Sequence, residues 1–263
     1  MDNLYKPFLS KILKVNPHTD IEYTFRMEYA GEVKPGQFFE VSIPKYGEAP
    51  ISISGIGDGW VELTIRRVGK VTSELFESSE GKSFFMRGPY GNGFDLDLYK
   101  GKQLVVVAGG TGVSPVRGVI NHFSRNLGQV DGFSVIVGFR SPEDILFSDD
   151  IALWKENKGF TLTVDHASEG YTGSQGMVTK YIPDIQFKDI NTAQIVIVGP
   201  PRMMTACAGA FIERGVPEEN IWISHERRMS CGLGKCGHCR MSHKYVCLDG
   251  PVFNYADAKH LVD

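Results

Sequence analysis

The sequence predicts a mixed α/β and β chain: an antiparallel β-barrel, then a domain built on a parallel sheet, then a small C-terminal lobe held together by cysteines. Three observations predict it. Residues 8–94 read as short β-branched and aromatic stretches punctuated by Gly36, Gly47 and Gly57-Asp58-Gly59, which suits a small barrel. From Leu104 onward continuous apolar runs alternate with helical patterns, as in a parallel sheet covered by helices. Near the C-terminus Cys231, Cys236, Cys239 and Cys247 form a C-x4-C-x2-C-x7-C array. The expected domains are 1–97, 98–225 and 226–263.

In the barrel region strands are expected at 21–27, 38–43 and 60–65, the last alternating sharply. Three segments suggest that the barrel holds a ligand. Pro35-Gly36-Gln37-Phe38 opens a strand, and Ala49-Pro50-Ile51-Ser52-Ile53-Ser54 sets hydroxyls among extended apolar residues. Arg66-Arg67-Val68-Gly69-Lys70-Val71-Thr72 ends a strand at a glycine before a helical pattern, so free N–H groups, the Thr72 hydroxyl and Arg66 could hold an anion such as a pyrophosphate. A tight turn is expected at Gly88-Pro89-Tyr90-Gly91-Asn92-Gly93-Phe94.

The apolar run 104–108 leads directly into Gly109-Gly110-Thr111-Gly112-Val113-Ser114-Pro115 and a helical pattern through Phe123. A buried strand, a glycine turn and a helix start form the unit that cradles a dinucleotide pyrophosphate, and Pro115 suits the first helical turn. Pro115 stands where the dehydrogenase fingerprint has its third glycine. Further strands are expected at 133–137, 161–164, 194–198 and 221–224. Gly199-Pro200-Pro201-Arg202-Met203 follows one of them, at the strand end where open α/β sheets bind ligands. No carboxylate closes the strand at the place of ribose recognition. Arg140 stands there instead, with Glu143 and Asp144 close by to repel a 2′-phosphate, which favours NADH over NADPH.

Four thiolates select soft metals, and the spacing matches the plant-type [2Fe-2S] pattern. Structural zinc and disulfides are the alternatives; zinc sites usually show two short paired knuckles, and one C-x2-C is present. Gly232, Gly234 and Gly237 let the backbone wrap tightly and aim N–H groups at sulfur. His238 and His243 are expected outside the ligand set, and Cys207 as a buried small hydrophobe.

At 263 residues the chain has room for about two domains with their own cores. Lys+Arg 28 against Asp+Glu 31 leaves no basic excess to track a phosphate backbone, which excludes nucleic acid as an expected partner. Residues 1–10 show no apolar leader, and no uncharged apolar run reaches bilayer length. The expectation is a cytoplasmic chain without membrane insertion, where thiolates stay reduced.

The order of these motifs resembles the ferredoxin-NADP reductase superfamily, in which a flavin-binding barrel precedes a nicotinamide-binding domain, over nearly the whole chain. The resemblance implies FAD, NADH and a [2Fe-2S] cluster as cofactors. It implies that Ala49, Pro50, Ile51 and Ser52 form the flavin motif, with Ser52 as the catalytic residue near the reactive edge of the ring. Thr64, Ile65 and Arg66 would line the flavin, while Gly69, Val71 and Thr72 would meet the FAD pyrophosphate. Gly110, Thr111, Gly112 and Pro115 would cradle the nicotinamide dinucleotide, Gly199, Pro200 and Met203 would lie beneath the nicotinamide, and Arg140 would stand at the ribose. Two departures are visible: Ala49 replaces the usual arginine, leaving Arg66 as the candidate cation, and Val198 replaces a frequent cysteine.

Cys231, Cys236, Cys239 and Cys247 would hold the cluster, as in NADH-oxidising electron-transfer subunits that end in a [2Fe-2S] lobe. The tail Tyr245 to Phe253 and the Val198-Gly199-Pro200-Pro201 turn look most like the gamma subunit of NAD-linked hydrogenases and the B subunit of anaerobic sulfite reductase; of these the sulfite reductase subunit is the reading taken, which implies iron-sulfur and sirohaem-type catalytic subunits as partners. The gamma subunit of NAD-linked hydrogenases and the dihydroorotate dehydrogenase electron-transfer subunit are the alternatives. A non-catalytic nucleotide-sensing module is the reading from a different class.

Overall fold

Alternation along the first ninety or so residues closes a barrel. In the computed structural model, which describes residues 5–261, strands β1 (Phe8–Pro17), β2 (Glu22–Glu28), β3 (Phe38–Ile43), β4 (Gly47–Gly57) and β5 (Trp60–Arg66) precede a short helix α1 (Lys70–Phe76) and strand β6 (Ser83–Tyr90). Residues 1–4 and 262–263, which fall in the expected outer domains and, for 1–4, in the segment 1–10 expected to carry no apolar leader, lie outside the described residues. The barrel order is β1-β2-β5-β4-β3-β6, with every pair antiparallel.

Successive side chains of a strand point to opposite faces, and β2 and β5 divide accordingly. Phe25, Met27, Val61, Leu63 and Ile65 are fully buried in the core with Ile12, Phe39, Val41 and Ile53. The opposite face is a polar ladder in register: Glu22 with Arg66, Thr24 with Thr64, Arg26 with Glu62. Helix α1 packs its Val71, Leu75 and Phe76 against this core, where Phe76 stacks on Tyr23 at 4.3 Å between ring centroids. A core position of this kind is worth about 2–5 kcal/mol against truncation to alanine.

The second element series runs β7 (Gln103–Gly109), α2 (Val113–Arg125), β8 (Gly132–Phe139), α3 (Ser148–Trp154), β9 (Phe160–Val164), β10 (Ser174–Gln175), β11 (Gln194–Val198), α4 (Pro201–Glu213) and β12 (Ile221–Ser224). All seven residues of β7 are buried, as a central parallel strand requires. Helix α2 turns Val116, Val119, Ile120 and Phe123 inward at helical spacing. The sheet order is β10-β9-β8-β7-β11-β12 followed by a last strand from near the C-terminus, β15 (Val252–Asn254), and the pairs from β10 to β12 are parallel.

After β12 come the hairpin β13 (Arg240–Met241) and β14 (Lys244–Tyr245), helix α5 (Val246–Asp249), strand β15 (Val252–Asn254) and helix α6 (Tyr255–Ala258). The chain forms two compact units. One holds residues up to 94, residues 225–252 and residue 261; the other holds 95–224 and 253–260. The segment expected as one lobe over 226–263 is thus divided inside β15, because its cysteine-bearing part folds with the barrel and its last helix does not. The expected turn at Gly88 to Phe94 explains the first half of that division. Asn92 donates through Nδ2 to the carbonyls of Asp249 (3.1 Å) and Val252 (2.8 Å) and accepts from the Val252 amide (3.2 Å). Gly91 is needed there, since a Cβ would stand 2.5 Å from Pro251 Cδ.

Candidate cofactor sites

In the second unit the sheet reverses direction between β7, which leads to β8 and β9, and β11, which leads to β12. That reversal is a topological switch point, and the crevice beyond its strand ends is where open α/β sheets take ligands. Both predicted glycine turns lie there and touch. The Gly110–Gly112 turn closes β7, and a Cβ on Gly112 would lie 2.6 Å from the Val198 carbonyl oxygen and 2.7 Å from Gly199 Cα. A Cβ on Gly109 or Gly199 would strike the Met203 side chain at 2.4 or 2.5 Å. Gly110, Thr111, Gly112, Gly199, Pro200 and Met203 are therefore brought together by two strand ends. Pro115 lies buried in the first turn of α2, where its missing N–H removes no helical bond. Arg140 is exposed just past β8, and the turn after it is tied by Ser141 Oγ donating to Asp144 Oδ2 at 3.0 Å.

On the barrel Ala49, Pro50, Ile51 and Ser52 are half-buried along β4, opposite Val41 to Phe38 of β3. The Thr64 hydroxyl sits on the polar face, 2.7 Å from Thr24 Oγ1, and donates to Ser54 Oγ at 2.7 Å, while His18 Nε2 lies 2.7 Å from Thr24 Oγ1. Arg66 is on the same face but paired, its Nε donating to Glu22 Oε1 at 2.5 Å. Ile65 points the other way, into the core, so only its backbone can line a flavin. The Thr72 hydroxyl accepts from the Val68 and Gly69 amides at 2.9 and 3.0 Å and donates to the Gly69 carbonyl. It therefore shapes the Gly69 loop, while the first-turn N–H groups beside Val71 have no intrahelical acceptor and can face an anion.

The four array cysteines fall into two pairs. The Cys236 amide and thiol act on the Cys231 sulfur to hold its pKa down, and the Cys239 and Cys247 sulfurs are 3.2 Å apart. Among the described residues no three or more His, Cys, Asp or Glu side chains gather around one point. Backbone amides supply the remaining donors: Leu233 and Lys235 to Cys231 Sγ at 3.3 Å each, Gly234 to Cys247 Sγ at 3.1 Å. Gly232, Gly234 and Gly237 have φ of 71°, 67° and 81°, and that left-handed backbone is what aims the amides inward. Burial acts to raise the Cys231 thiol, but the Leu233, Lys235 and Cys236 amides outweigh it and hold it low; burial and the Cys239 thiol push Cys247 up. Paired sulfurs ringed by N–H donors fit an iron–sulfur cluster. His238 and His243 are exposed, and Cys207 is buried in α4 with its thiol pushed up to about 12 by desolvation, as an inert core residue should be.

Two residues with direct bearing on this lobe carry no motif. Arg87 on β6 is 5% exposed and donates to Ser230 O (2.8 Å) and Cys231 O (3.0 Å). Glu40, its cross-strand neighbour on β3, is fully buried, and neither carboxylate oxygen has a hydrogen-bond partner among the described residues. Burial pushes its pKa up to about 7, Arg87 pulling the other way and Glu48 adding repulsion. Both alternate with barrel-core residues, Glu40 with Phe39 and Val41 and Arg87 with Met86, so they lie on the strand face turned away from the core, and a charge set in an otherwise apolar strand was the available signal for both.

Residues 106–209 match the oxidoreductase NAD-binding domain, and residues 226–259 match the iron–sulfur cluster binding domain of dihydroorotate dehydrogenase B. The chain is 37% identical to the sulfhydrogenase 1 gamma subunit of Pyrococcus furiosus, over 97% of this chain and 93% of that one. It is 32% identical to a probable dihydroorotate dehydrogenase B (NAD(+)) electron transfer subunit of Thermococcus kodakarensis, over 87% and 88%. Among solved structures it superposes on a chain of the NADH-dependent reduced ferredoxin-NADP oxidoreductase with a TM-score of 0.78 and 25% identity, covering 95% of this chain and 89% of that one. A Neisseria gonorrhoeae ferredoxin NADP+ reductase shares the fold at a TM-score of 0.69 and 19% identity, covering 83% and 98%. Fold and matched domains together support NADH, FAD and an iron–sulfur cluster as cofactors. No helix among the described residues is long and apolar enough to cross a membrane. The chain belongs to the family of NAD-binding, iron–sulfur oxidoreductase subunits that includes the sulfhydrogenase gamma subunits and the dihydroorotate dehydrogenase B electron-transfer subunits.

Proposed function

We propose that this chain oxidises NADH and delivers the electrons singly to a catalytic partner, through FAD on the barrel and a [2Fe-2S] cluster held by Cys231, Cys236, Cys239 and Cys247. FAD supplies the chemistry that joins a two-electron hydride donor to a one-electron cluster. The observation that carries the proposal is the pairing of Cys231 with Cys236 and of Cys239 with Cys247, two thiols for each of two irons.

The remaining roles follow from this chain's residues. Gly112 and Gly199 let the two turns pack closely at the switch point, the Cβ position of Gly110 is open space that a pyrophosphate can approach, and the start of α2 offers N–H groups to the phosphates. Arg140, with Glu143 and Asp144 nearby, accepts a free ribose hydroxyl better than a 2′-phosphate, hence NADH. Ser52 on β4 offers a hydroxyl to the flavin ring edge, with Ala49, Pro50, Ile51 and Thr64 beside it. Arg66, Gly69, Val71 and Thr72 form the pyrophosphate end. The amides of Leu233, Gly234 and Lys235 spread the charge of the thiolates. By cofactor, the working divisions are 1–97 for FAD, 98–225 for NADH and 226–263 for the cluster, the last of them shared between the two compact units, and the compartment is the cytoplasm, which keeps such thiolates reduced.

The sulfhydrogenase gamma relatives favour a hydrogen-metabolising catalytic subunit as partner; sulfite reduction by a sirohaem-type partner rests only on a resemblance of the tail and the Val198-Gly199-Pro200-Pro201 turn that the hydrogenase gamma subunits share. Affinity purification of the tagged chain from its own cells, under anaerobic conditions, separates the two. The expected complex couples hydrogen to NAD+, and the chain alone reduces ferricyanide or a viologen with NADH but yields no sulfide from sulfite. A complex that reduces sulfite to sulfide and ignores hydrogen overturns the choice of partner.

A further inference from the structure

Arg87 is held in an unusually complete way. A guanidinium has five N–H donors in a fixed plane, and here all five are used: Nε and Nη2 to the two Glu48 oxygens at 2.9 Å each, Nη1 to Tyr90 Oη at 3.1 Å and Cys231 O at 3.0 Å, and Nη2 to Ser230 O at 2.8 Å. The two carbonyls belong to the array's first cysteine and to the residue before it, over 140 positions away in sequence. The Cys231 sulfur meanwhile receives the Leu233 and Lys235 amides. The first cysteine is thus fixed at its carbonyl by the barrel and at its sulfur by its own loop.

The charges around Arg87 are asymmetric. Its side chain is 6% exposed, whereas that of Glu48 is 35% exposed, so water screens the carboxylate far more than the guanidinium. The N–H groups turned toward Ser230 and Cys231 therefore present the positive end of the pair to the loop. Glu40 faces Arg87 from β3 and is fully buried. Lysine could not replace this arrangement, because an ammonium has three donors and no planar fork.

We propose that Arg87 is a positioning residue for the cluster, one that fixes the first ligand through the Ser230 and Cys231 carbonyls and, by its buried charge, makes the cluster easier to reduce. The proposal rests on the iron–sulfur reading of the array. Reduction adds negative charge to the lobe, and a buried cation beside the ligand backbone stabilises that state more than the oxidised one. Glu48 opposes the effect from its half-exposed position, which gives the proposal a sign that general loosening of the lobe lacks.

The test is an anaerobic redox titration of the full chain, followed by electron paramagnetic resonance of the reduced form, on the wild type, Arg87→Gln, Arg87→Lys and Glu48→Gln. Iron and acid-labile sulfide are measured on each. Arg87→Gln is expected to move the cluster potential negative and Glu48→Gln to move it positive, with Arg87→Lys lying between Arg87→Gln and the wild type. Hydrogen exchange at the amides of residues 230–233 is expected to quicken about tenfold in both Arg87 variants, the loss of about one net hydrogen bond. If Arg87→Gln fails to assemble a cluster, the sign of the Glu48→Gln shift still decides. Potentials unchanged at full iron content, or shifted in the same direction in Arg87→Gln and Glu48→Gln, overturn the proposal. A wild-type chain without iron and sulfide overturns the cluster reading instead.

Discussion

Arg66 donates to Glu22 Oε1 at 2.5 Å, so the cation expected to oppose a pyrophosphate is already joined to a carboxylate on the neighbouring strand. Glu22 is 2% exposed and the Arg66 side chain 44%, so the pair is buried at its acidic end and open at its basic end. The guanidinium thus compensates a buried charge and still has N–H groups free to turn outward.

Arg66→Met should therefore have two separable effects. Leaving Glu22 without its cation should cost about 1–2 kcal/mol of stability, discounted for the exposed end, and Glu22→Gln in the same chain should recover most of it. FAD affinity should fall about tenfold in both the single and the double variant, the worth of one charge-assisted hydrogen bond. Urea unfolding and fluorescence titration with FAD measure the two. Unchanged FAD affinity removes Arg66 from the pyrophosphate end.

The glycine turns at the switch point differ in what a methyl group would meet. At Gly112 it would meet Val198 O and Gly199 Cα, backbone atoms that cannot step aside, whereas at Gly109 the obstacle is the flexible Met203 side chain. Gly112→Ala should slow flavin reduction by NADH at least about tenfold in stopped flow, with FAD and iron content intact. Gly109→Ala should cost less. Equal and small effects would mean that the two turns do not shape the nicotinamide site.

Glu40 makes stability depend on pH. Its pKa rises from 4.5 to about 7 on folding, chiefly through burial, so the folded state binds more protons than the unfolded state between these values. Stability should accordingly fall as pH rises through that window and level off above it, by about 3 kcal/mol from this one group. Glu40→Gln should flatten the difference between unfolding free energies at pH 5 and pH 8. An unaltered pH profile in the variant contradicts the assignment.

Much of this was legible in the sequence because it depends on local periodicity. Strands β3, β11 and β12 lie at the residues expected, since Phe38 to Ile43, Gln194 to Val198 and Ile221 to Ser224 are unbroken strand-forming runs. Helix α2 begins at Val113, directly after the glycine turn. Strand β6 was not assigned, because Arg87 and the Gly88-Pro89 pair interrupt its apolar pattern. Pairings between distant positions were also hidden. Nothing near Arg66 indicates Glu22, and nothing near Cys231 indicates Arg87, because each partner is chosen by barrel closure and chain return. For the same reason Ile65 could be named as a flavin neighbour before its side chain was seen to face the core.

Cys236 and Cys239 belong to different pairs, so replacing either should leave one iron short of a ligand. Cys236→Ala and Cys239→Ala should each abolish the visible iron–sulfur absorbance while NADH still bleaches the flavin, because hydride transfer lies upstream. Loss of flavin reduction in a still-folded variant would reverse the proposed order of carriers.

The central claim is that one chain carries electrons from NADH through FAD to a [2Fe-2S] cluster. Anaerobic titration of the purified chain with NADH, read by visible absorbance and by electron paramagnetic resonance on samples assayed for FAD, iron and acid-labile sulfide, tests it most directly. The expected result is iron and sulfide in equal amounts, bleaching of the flavin by NADH, and the low-temperature signal of a reduced two-iron cluster. Zinc without labile sulfide, or a flavin that NADH bleaches while an intact cluster that a low-potential reductant does reduce stays oxidised, contradicts it.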